Sequence, residues 1–183
     1  MTELQNRSTE LFNSPLEIGL RTLYILNESK TSCDLQRLVY YDYLLVHSGD
    51  AKNAPESIHP NTPHRSSEIL VKRELIKNGL TLMASKQLVE FDFTKNGISY
   101  KATDLTSEFL KYLNSSQLQL NEFLYLKYLN SDYALQLSSV AKWLVNNFEE
   151  YNDDKLETYI KLHMDVWGGE FTKESLLRGQ TQL

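Results

Sequence analysis

Residues 88–102 have the sequence LVEFDFTKNGISYKA, and they determine the fold class of this chain. Apolar and polar residues alternate in Leu88–Phe93 and again in Ile98–Ala102, which is the period of a half-buried strand. Asn96-Gly97 lies between the two stretches and is the strongest short-range signal for a β-hairpin. Because an isolated hairpin is only marginally stable in water, this one is expected to pack on neighbouring helices.

Three helices are predicted before the hairpin. Ser14-Pro15-Leu16-Glu17 predicts the start of the first, because serine can cap, proline suits the first helical position and glutamate completes a capping box. Thr31–Asp34 repeats the capping pattern. The helix that follows, to about His47, is apolar on nearly every side, which is typical of a central helix. After a long loop, Thr62-Pro63 begins the third helix.

Four further helices are predicted after the hairpin. Thr103-Asp104 caps the first of them, and the others cover about residues 116–129, 132–148 and 153–167. Gly168-Gly169 is a typical helix stop and ends the last one. The sequence therefore predicts a mainly α chain with a small β-hairpin.

The order of these elements predicts a winged helix-turn-helix core with the hairpin as its wing. We expect a flexible N-terminus at residues 1–13, the winged-helix core at 14–113 and a helical C-terminal extension at 114–183. The extension is expected to form an acidic cap or arm on the core.

Charge is unevenly distributed along the 183 residues, whose net charge is −5. Residues 64–101 carry 7 basic and 4 acidic side chains, a net +3, whereas 1–63 carry 5 and 8 (−3) and 102–183 carry 7 and 12 (−5). A free-standing DNA-binding domain is usually basic overall, so any contact with nucleic acid is expected to be local or shared with a partner. The single cysteine, the polar start and the lack of a long apolar run predict a cytoplasmic protein without a membrane span.

Motifs for catalysis are absent from the sequence. No Gly-rich phosphate loop is present, and His59 and His64 lack the spacing of a metal site. Cys33 has no obvious base near it in sequence and is expected to be a small buried hydrophobe. We therefore expect a protein that is not an enzyme and that has no catalytic residues, bound metal or cofactor.

Basic residues on the third helix and the wing are the candidate binding residues for DNA or a protein partner. In helix-turn-helix proteins the recognition helix enters the major groove, and phosphate contacts need lysine and arginine. The alternative is that they are ordinary surface charges paired with nearby carboxylates. The candidates are His64, Arg65, Lys72, Arg73, Lys77, Lys86 and Lys95.

Three stretches carry a resemblance to a known family: NTPHRS at 61–66, VKRELI with GLTLM within 71–83, and NGISYKAT at 96–103. Over about residues 10–150, the chain resembles the middle components of bacterial ABC-three-component systems. These include the small accessory subunits of Lamassu-type anti-phage and anti-plasmid defence.

The resemblance implies a non-catalytic accessory subunit, comparable with the kleisin or KITE proteins of SMC complexes. It would bridge the heads of an SMC-like ABC ATPase dimer, an effector nuclease and double-stranded DNA that is sensed through the complex. One alternative is a stand-alone winged-helix transcription regulator whose C-terminal helices dimerise, and another is a partner that neutralises a toxin. The acidic balance favours the accessory subunit, because a repressor that searches for its operator alone benefits from a basic field.

Overall fold

The structure is a computed structural model that describes residues 13–51, 53–59, 68–95, 97–115 and 131–163. Within them lie six α-helices, three strands and a short 3-10 helix at Ser48–Asp50. In chain order the α-helices and strands are α1 (Pro15–Glu28), β1 (Cys33–Asp34), α2 (Leu35–Val46), α3 (Glu68–Ser85), β2 (Val89–Thr94), β3 (Gly97–Ala102), α4 (Asp104–Asn114), α5 (Ser131–Phe148) and α6 (Asp153–His163). The prediction of a mainly helical chain with a small β-hairpin is confirmed.

The strands form one antiparallel sheet in the order β1-β3-β2. Within the hairpin, Phe93 pairs with Ile98 and Thr94 pairs with Gly97, whose φ of +124° suits glycine. On the other side of β3, Cys33 pairs with Tyr100. The sequence analysis missed β1, because a strand of two residues is too short to show an alternating pattern.

The starts of α1, α2 and α4 lie where the sequence predicted them, with two corrections to the caps. Ser14 caps α1, and its Oγ accepts a hydrogen bond from the backbone N–H of Glu17 at 3.2 Å. Asp34 caps α2 through the N–H of Arg37 at 2.8 Å. The predicted capping box is wrong, because the Glu17 carboxylate turns into the protein interior and contacts Arg21.

Thr103 precedes α4 as predicted, but it makes no side-chain capping hydrogen bond, because its Oγ1 donates to the carbonyl of Gln87 instead. The predicted start of the third helix at Thr62-Pro63 lies outside the described residues.

Helix α2 is the centre of the core, as predicted. Every residue from Leu38 to Val46 is buried, including the three tyrosines in that range. One continuous apolar core joins this helix to side chains of α1, α3, α4, α5 and α6. From α5 it receives Leu137, Val140, Ala141 and Leu144. Helix α5 therefore packs directly on the helices of the first part of the chain.

Several predicted segments lie outside the described residues: the N-terminus up to residue 12, the helix at 116–129, and the end of the last helix with Gly168-Gly169. The division of the chain into a core at 14–113 and an extension from 114 stays a prediction. None of the described helices combines the length and the apolar character that a membrane crossing requires.

Helices α1 and α3 approach each other closely at a pair of glycines. A Cβ atom added at Gly79 would lie 2.8 Å from the backbone nitrogen of Gly19, which is closer than atoms can pack. The absence of both side chains lets the two backbones touch. This contact holds α3 against α1, and the exposed side of α3 carries Arg73 and Lys77.

Candidate functional site

A cluster of buried charged groups lies where α1, α2 and α3 meet. Arg21 is completely buried at its centre, and its Nε and Nη2 atoms lie 2.6 Å and 3.3 Å from the two carboxylate oxygens of Asp42. Its Nη1 atom lies 2.6 Å from Oε1 of Glu17. A buried guanidinium needs such partners, because removing an unpaired charge from water costs several kcal/mol or more.

Side chains from α3, from the loop that follows α2 and from α5 complete the cluster. Lys72 of α3 places its Nζ atom 3.2 Å from Oδ2 of Asp42. From the loop before α3, His59 places Nε2 2.9 Å from Oε1 of Glu17. Tyr133 of α5 donates its hydroxyl hydrogen to the same oxygen at 2.7 Å. We call Glu17, Arg21, Asp42, His59, Lys72 and Tyr133 the ionic cluster.

Burial and neighbouring charges shift the pKa values of three groups in the cluster, Arg21, Asp42 and Tyr133. Burial by itself would raise the pKa of Asp42, but the positive charges of Arg21 and Lys72 outweigh it and hold that pKa well below its usual value. Burial opposes the charge of Arg21, yet Asp42 and Glu17 raise the pKa of its guanidinium. Burial and the nearby Glu17 carboxylate raise the pKa of Tyr133. A general acid or base needs a pKa near the working pH, so Arg21 and Asp42 act as structural charges and Tyr133 as a neutral hydrogen-bond donor.

The structure places Lys72 differently from the sequence-based prediction. It was predicted to lie on the basic binding surface, but its side chain is only 7% exposed and points at Asp42. Its ammonium also lies 5.5 Å from the ring centre of Tyr43. The reason is that Lys72 lies on the side of α3 that faces α2, where it pairs with the buried carboxylate of Asp42, and the sequence pattern does not indicate this pairing.

Four of the predicted basic residues are exposed, and we call them the basic surface: Arg73, Lys77, Lys86 and Lys95. Arg73 donates from Nη1 to Oε1 of Gln36 at 2.8 Å, and Lys77 lies 3.8 Å from Glu74. Tyr100 lies at the base of the hairpin, and burial raises its pKa. The positive charge of the nearby Arg73 partly opposes this rise. His64 and Arg65 lie outside the described residues.

The hairpin carries an exposed apolar face, which the sequence analysis did not predict. Val89 and Tyr100 are buried at its base, but Phe91, Phe93 and Ile98 are 43%, 77% and 45% exposed. Phe91 packs edge-on against the ring of Tyr100, with 5.4 Å between ring centres. The prediction of a half-buried β2 is therefore wrong beyond Val89, because the hairpin extends past the helices that would cover it.

Comparison with known families identifies the chain. Residues 11–122 and 117–170 match the family described as ABC-three component (ABC-3C) system Middle Component 2. The chain belongs to this family. The match confirms the resemblance drawn from the sequence and indicates an accessory subunit that works with the other components of an ABC-3C system. No curated protein and no solved structure matches the chain.

The remaining reactive side chains of this middle component are held in the core. Cys33 is buried, and burial raises the pKa of its thiol, so it is protonated at neutral pH. His47 is buried beside Tyr43, with 4.7 Å between ring centres. Across the described part of the chain, no group of His, Cys, Asp and Glu side chains could hold a metal ion.

Proposed function

We propose that the chain is a non-catalytic, kleisin- or KITE-like subunit of a Lamassu-type anti-phage or anti-plasmid defence complex in the cytoplasm. In this role it bridges the heads of an SMC-like ABC ATPase dimer, an effector nuclease and double-stranded DNA. The observation that carries the proposal is the match to ABC-3C Middle Component 2 over residues 11–170. The placement of Arg21, Asp42 and Cys33 inside the core supports a structural role for them.

A winged-helix core is part of the proposal. Its support is the element order α1-β1-α2-α3-β2-β3 together with the sheet order β1-β3-β2. In this arrangement α2 and α3 are the helix-turn-helix, and β2 and β3 are the wing. The ionic cluster then joins the helix-turn-helix to α1 and α5, so that the wing and α3 are presented from a rigid base.

The basic surface is proposed to contact DNA held by the complex or an acidic protein surface. Exposed lysine and arginine side chains can contact phosphates, and the salt dependence of binding reports how many do so. His64 and Arg65 lie four and three residues before the start of α3 in the sequence, and we keep them in the proposed surface. Lys72 is left out because its buried ammonium pairs with Asp42.

The test is an affinity purification of the tagged chain from its native host, with mass spectrometry of the proteins that accompany it. We expect an SMC-like ABC ATPase in near-stoichiometric amount, together with an effector nuclease. Recovery of the chain alone, as a homodimer that retains a specific DNA fragment, would overturn the proposal. That result would instead support a stand-alone winged-helix transcription regulator.

A further inference from the structure

The sheet has an open edge at β2. Among the described strands, β2 pairs with β3 alone, and it forms the outer edge of the sheet. Every residue from Glu90 to Thr94 is exposed. An edge strand presents a row of backbone N–H and C=O groups that another extended chain can pair with. Six residues give this edge a length of about 20 Å, which is enough for a short added strand.

The two faces of β2 have different chemistry. Phe91 and Phe93 project from one face, and Glu90 and Asp92 project from the other, because neighbouring residues in a strand alternate. Glu90 lies 3.7 Å from Lys101 across the hairpin, and both side chains are largely exposed. A strand added at this edge would therefore have apolar side chains beside the phenylalanines and basic ones beside the carboxylates.

A second copy of this chain fits the edge poorly. In antiparallel pairing, residues directly opposite each other lie on the same face of the sheet. The registers that set Phe91 of one copy opposite Phe91 or Phe93 of the other also set Asp92 opposite Glu90 or opposite the second Asp92. Like charges directly opposite destabilise a sheet, so the charge pattern of β2 selects against self-association.

The base of the hairpin is fixed, which prepares the edge for binding. Thr103 donates from Oγ1 to the carbonyl of Gln87 at 2.8 Å, and Thr106 donates to the carbonyl of Leu88. Tyr100 is buried and packs edge-on against Phe91, its partner across the hairpin. A strand that is already held in place loses less conformational freedom when a partner adds to it.

We propose that an extended segment of the ABC ATPase adds to the β2 edge as a further strand, and that apolar residues alternate with lysine or arginine in this segment. Backbone hydrogen bonds would supply affinity, and the alternating side chains would supply specificity. The inference rests on the proposed function and names the surface through which the ATPase component is held.

The test is hydrogen–deuterium exchange of the full-length chain, alone and in the complex purified with the other components. Amides of residues 90–94 are expected to exchange about tenfold more slowly in the complex. A complex that forms without this protection would overturn the inference and leave the proposed function in place. If no ABC ATPase accompanies the chain, the proposed function and the inference both fail.

Two substitutions with matched controls test the chemistry of the edge. Asp92→Lys and Phe93→Ser are each expected to weaken binding of the ATPase about tenfold. Glu150→Lys and Leu135→Ser make the same chemical changes at exposed positions on and after α5, and binding is expected to be unchanged. Equal weakening by the controls, or protection of β2 by the effector or by a second copy of the chain, would overturn the assignment. Cross-linking between β2 and the added strand identifies the protein that supplies this strand.

Discussion

Arg21 connects distant parts of the chain through a set of balanced charges. Its guanidinium and the Lys72 ammonium carry two positive charges, and the Asp42 and Glu17 carboxylates carry two negative ones. A buried pair of this kind adds little net stability compared with apolar residues of the same shape, but losing one partner leaves an uncompensated buried charge. We therefore expect the cluster to favour one packing arrangement of α1, α2 and α3 over others.

Replacing Asp42 by alanine should destabilise the protein strongly. The change leaves the buried guanidinium of Arg21 and the ammonium of Lys72 without their shared carboxylate, so we expect a loss of about 3–5 kcal/mol in the free energy of unfolding. Urea denaturation followed by circular dichroism measures this loss. As a control, Glu108→Ala removes an exposed pair with Lys111 and should cost less than about 1 kcal/mol. Similar losses in both variants would contradict this account of the cluster.

Asp42 should also contribute to the acid sensitivity of folding. Its pKa is lower in the folded protein than in the unfolded chain, so its stabilising effect is complete well above the unfolded value of about 3.9. That effect is lost as the pH falls from about 5 toward the folded-state pKa. Unfolding free energies measured between pH 3 and pH 7 should therefore decline less steeply toward acid in Asp42→Asn than in the wild type. Parallel pH profiles for the two proteins would argue against a charged Asp42.

At the residue scale, sequence patterns predicted the groups whose partners are close in the chain. The Ser14 cap follows from a spacing of three residues, and the buried tyrosines of α2 follow from its apolar character. The pairing of Arg21 with Asp42 spans 21 residues and has no local signal. From the sequence alone, Asp42 is only a polar residue within an apolar helix, and Lys72 resembles any surface lysine.

The crossing of α1 and α3 depends on glycine at the element scale. Gly79→Ala should gain about 1 kcal/mol from the higher helix propensity of alanine. Its Cβ would, however, meet the backbone of α1, so we expect the free energy of unfolding to fall by about 1–3 kcal/mol in total. Gly19→Ala should lose less, because its new methyl group mainly meets the flexible side chain of Met83. Thermal unfolding of the two variants measures the difference. A Gly79→Ala protein as stable as the wild type would contradict the close backbone contact.

Arg37 of α2 holds the turn between α5 and α6. Its guanidinium donates to the carbonyl oxygens of Phe148, Glu149 and Tyr151 at 3.1, 2.6 and 2.7 Å, and also to the hydroxyl oxygen of Tyr41. Carbonyl groups at the end of a helix lack partners within the helix, so a cation supplied by another helix satisfies them. This contact fixes where α6 begins relative to α2.

Removing the Arg37 guanidinium should loosen that turn locally. Arg37→Met keeps much of the side-chain volume, and we expect it to cost about 2–3 kcal/mol because several partly buried acceptors lose their donor. Hydrogen–deuterium exchange should accelerate at residues 149–156 and stay unchanged in α3. Lys142→Met, at an exposed position on α5, is the matched control and should leave exchange as in the wild type. Uniform acceleration across all helices would indicate a global effect instead.

At the element scale, the sequence predicted the described helices and the hairpin because each has its own period and start signal. It could not predict how far the hairpin extends past the helices. Alternation between apolar and polar residues is the same whether the apolar face is covered by the protein itself or stays exposed, as at Phe93. The close approach at Gly79 was missed for the same reason, since a glycine within a helix does not reveal what touches it.

At the scale of the whole molecule, the two proposed binding surfaces differ in character and lie on neighbouring elements. The edge of β2 combines phenylalanines with carboxylates, whereas the basic surface presents Arg73 and Lys77 from α3. Lys72 would add to the positive field by its position in sequence, but Asp42 neutralises it inside the core. Two surfaces with opposite charge fit a subunit that holds two different partners at once.

Reversing the charge of the basic surface should impair the response to DNA without unfolding the protein. Arg73 and Lys77 are exposed, and their contacts with Gln36 and Glu74 are surface contacts, so Arg73→Glu with Lys77→Glu should change the free energy of unfolding by less than about 1 kcal/mol. We expect phage or plasmid protection in the host to fall while the chain stays folded. Lys142→Glu with Lys155→Glu applies the same charge change to exposed positions on α5 and α6 and should preserve protection.

The salt dependence of DNA binding by the purified complex then separates the two partners proposed for this surface. If both side chains contact phosphates, the double variant should reduce the slope of log affinity against log salt by about 1–2, because each neutralised phosphate contributes about 0.9. If they contact an acidic protein surface, the slope should be unchanged, and the complex should lose one of its protein components instead. Intact protection together with an unchanged complex would remove α3 from the functional surface and leave the hairpin edge as the remaining candidate.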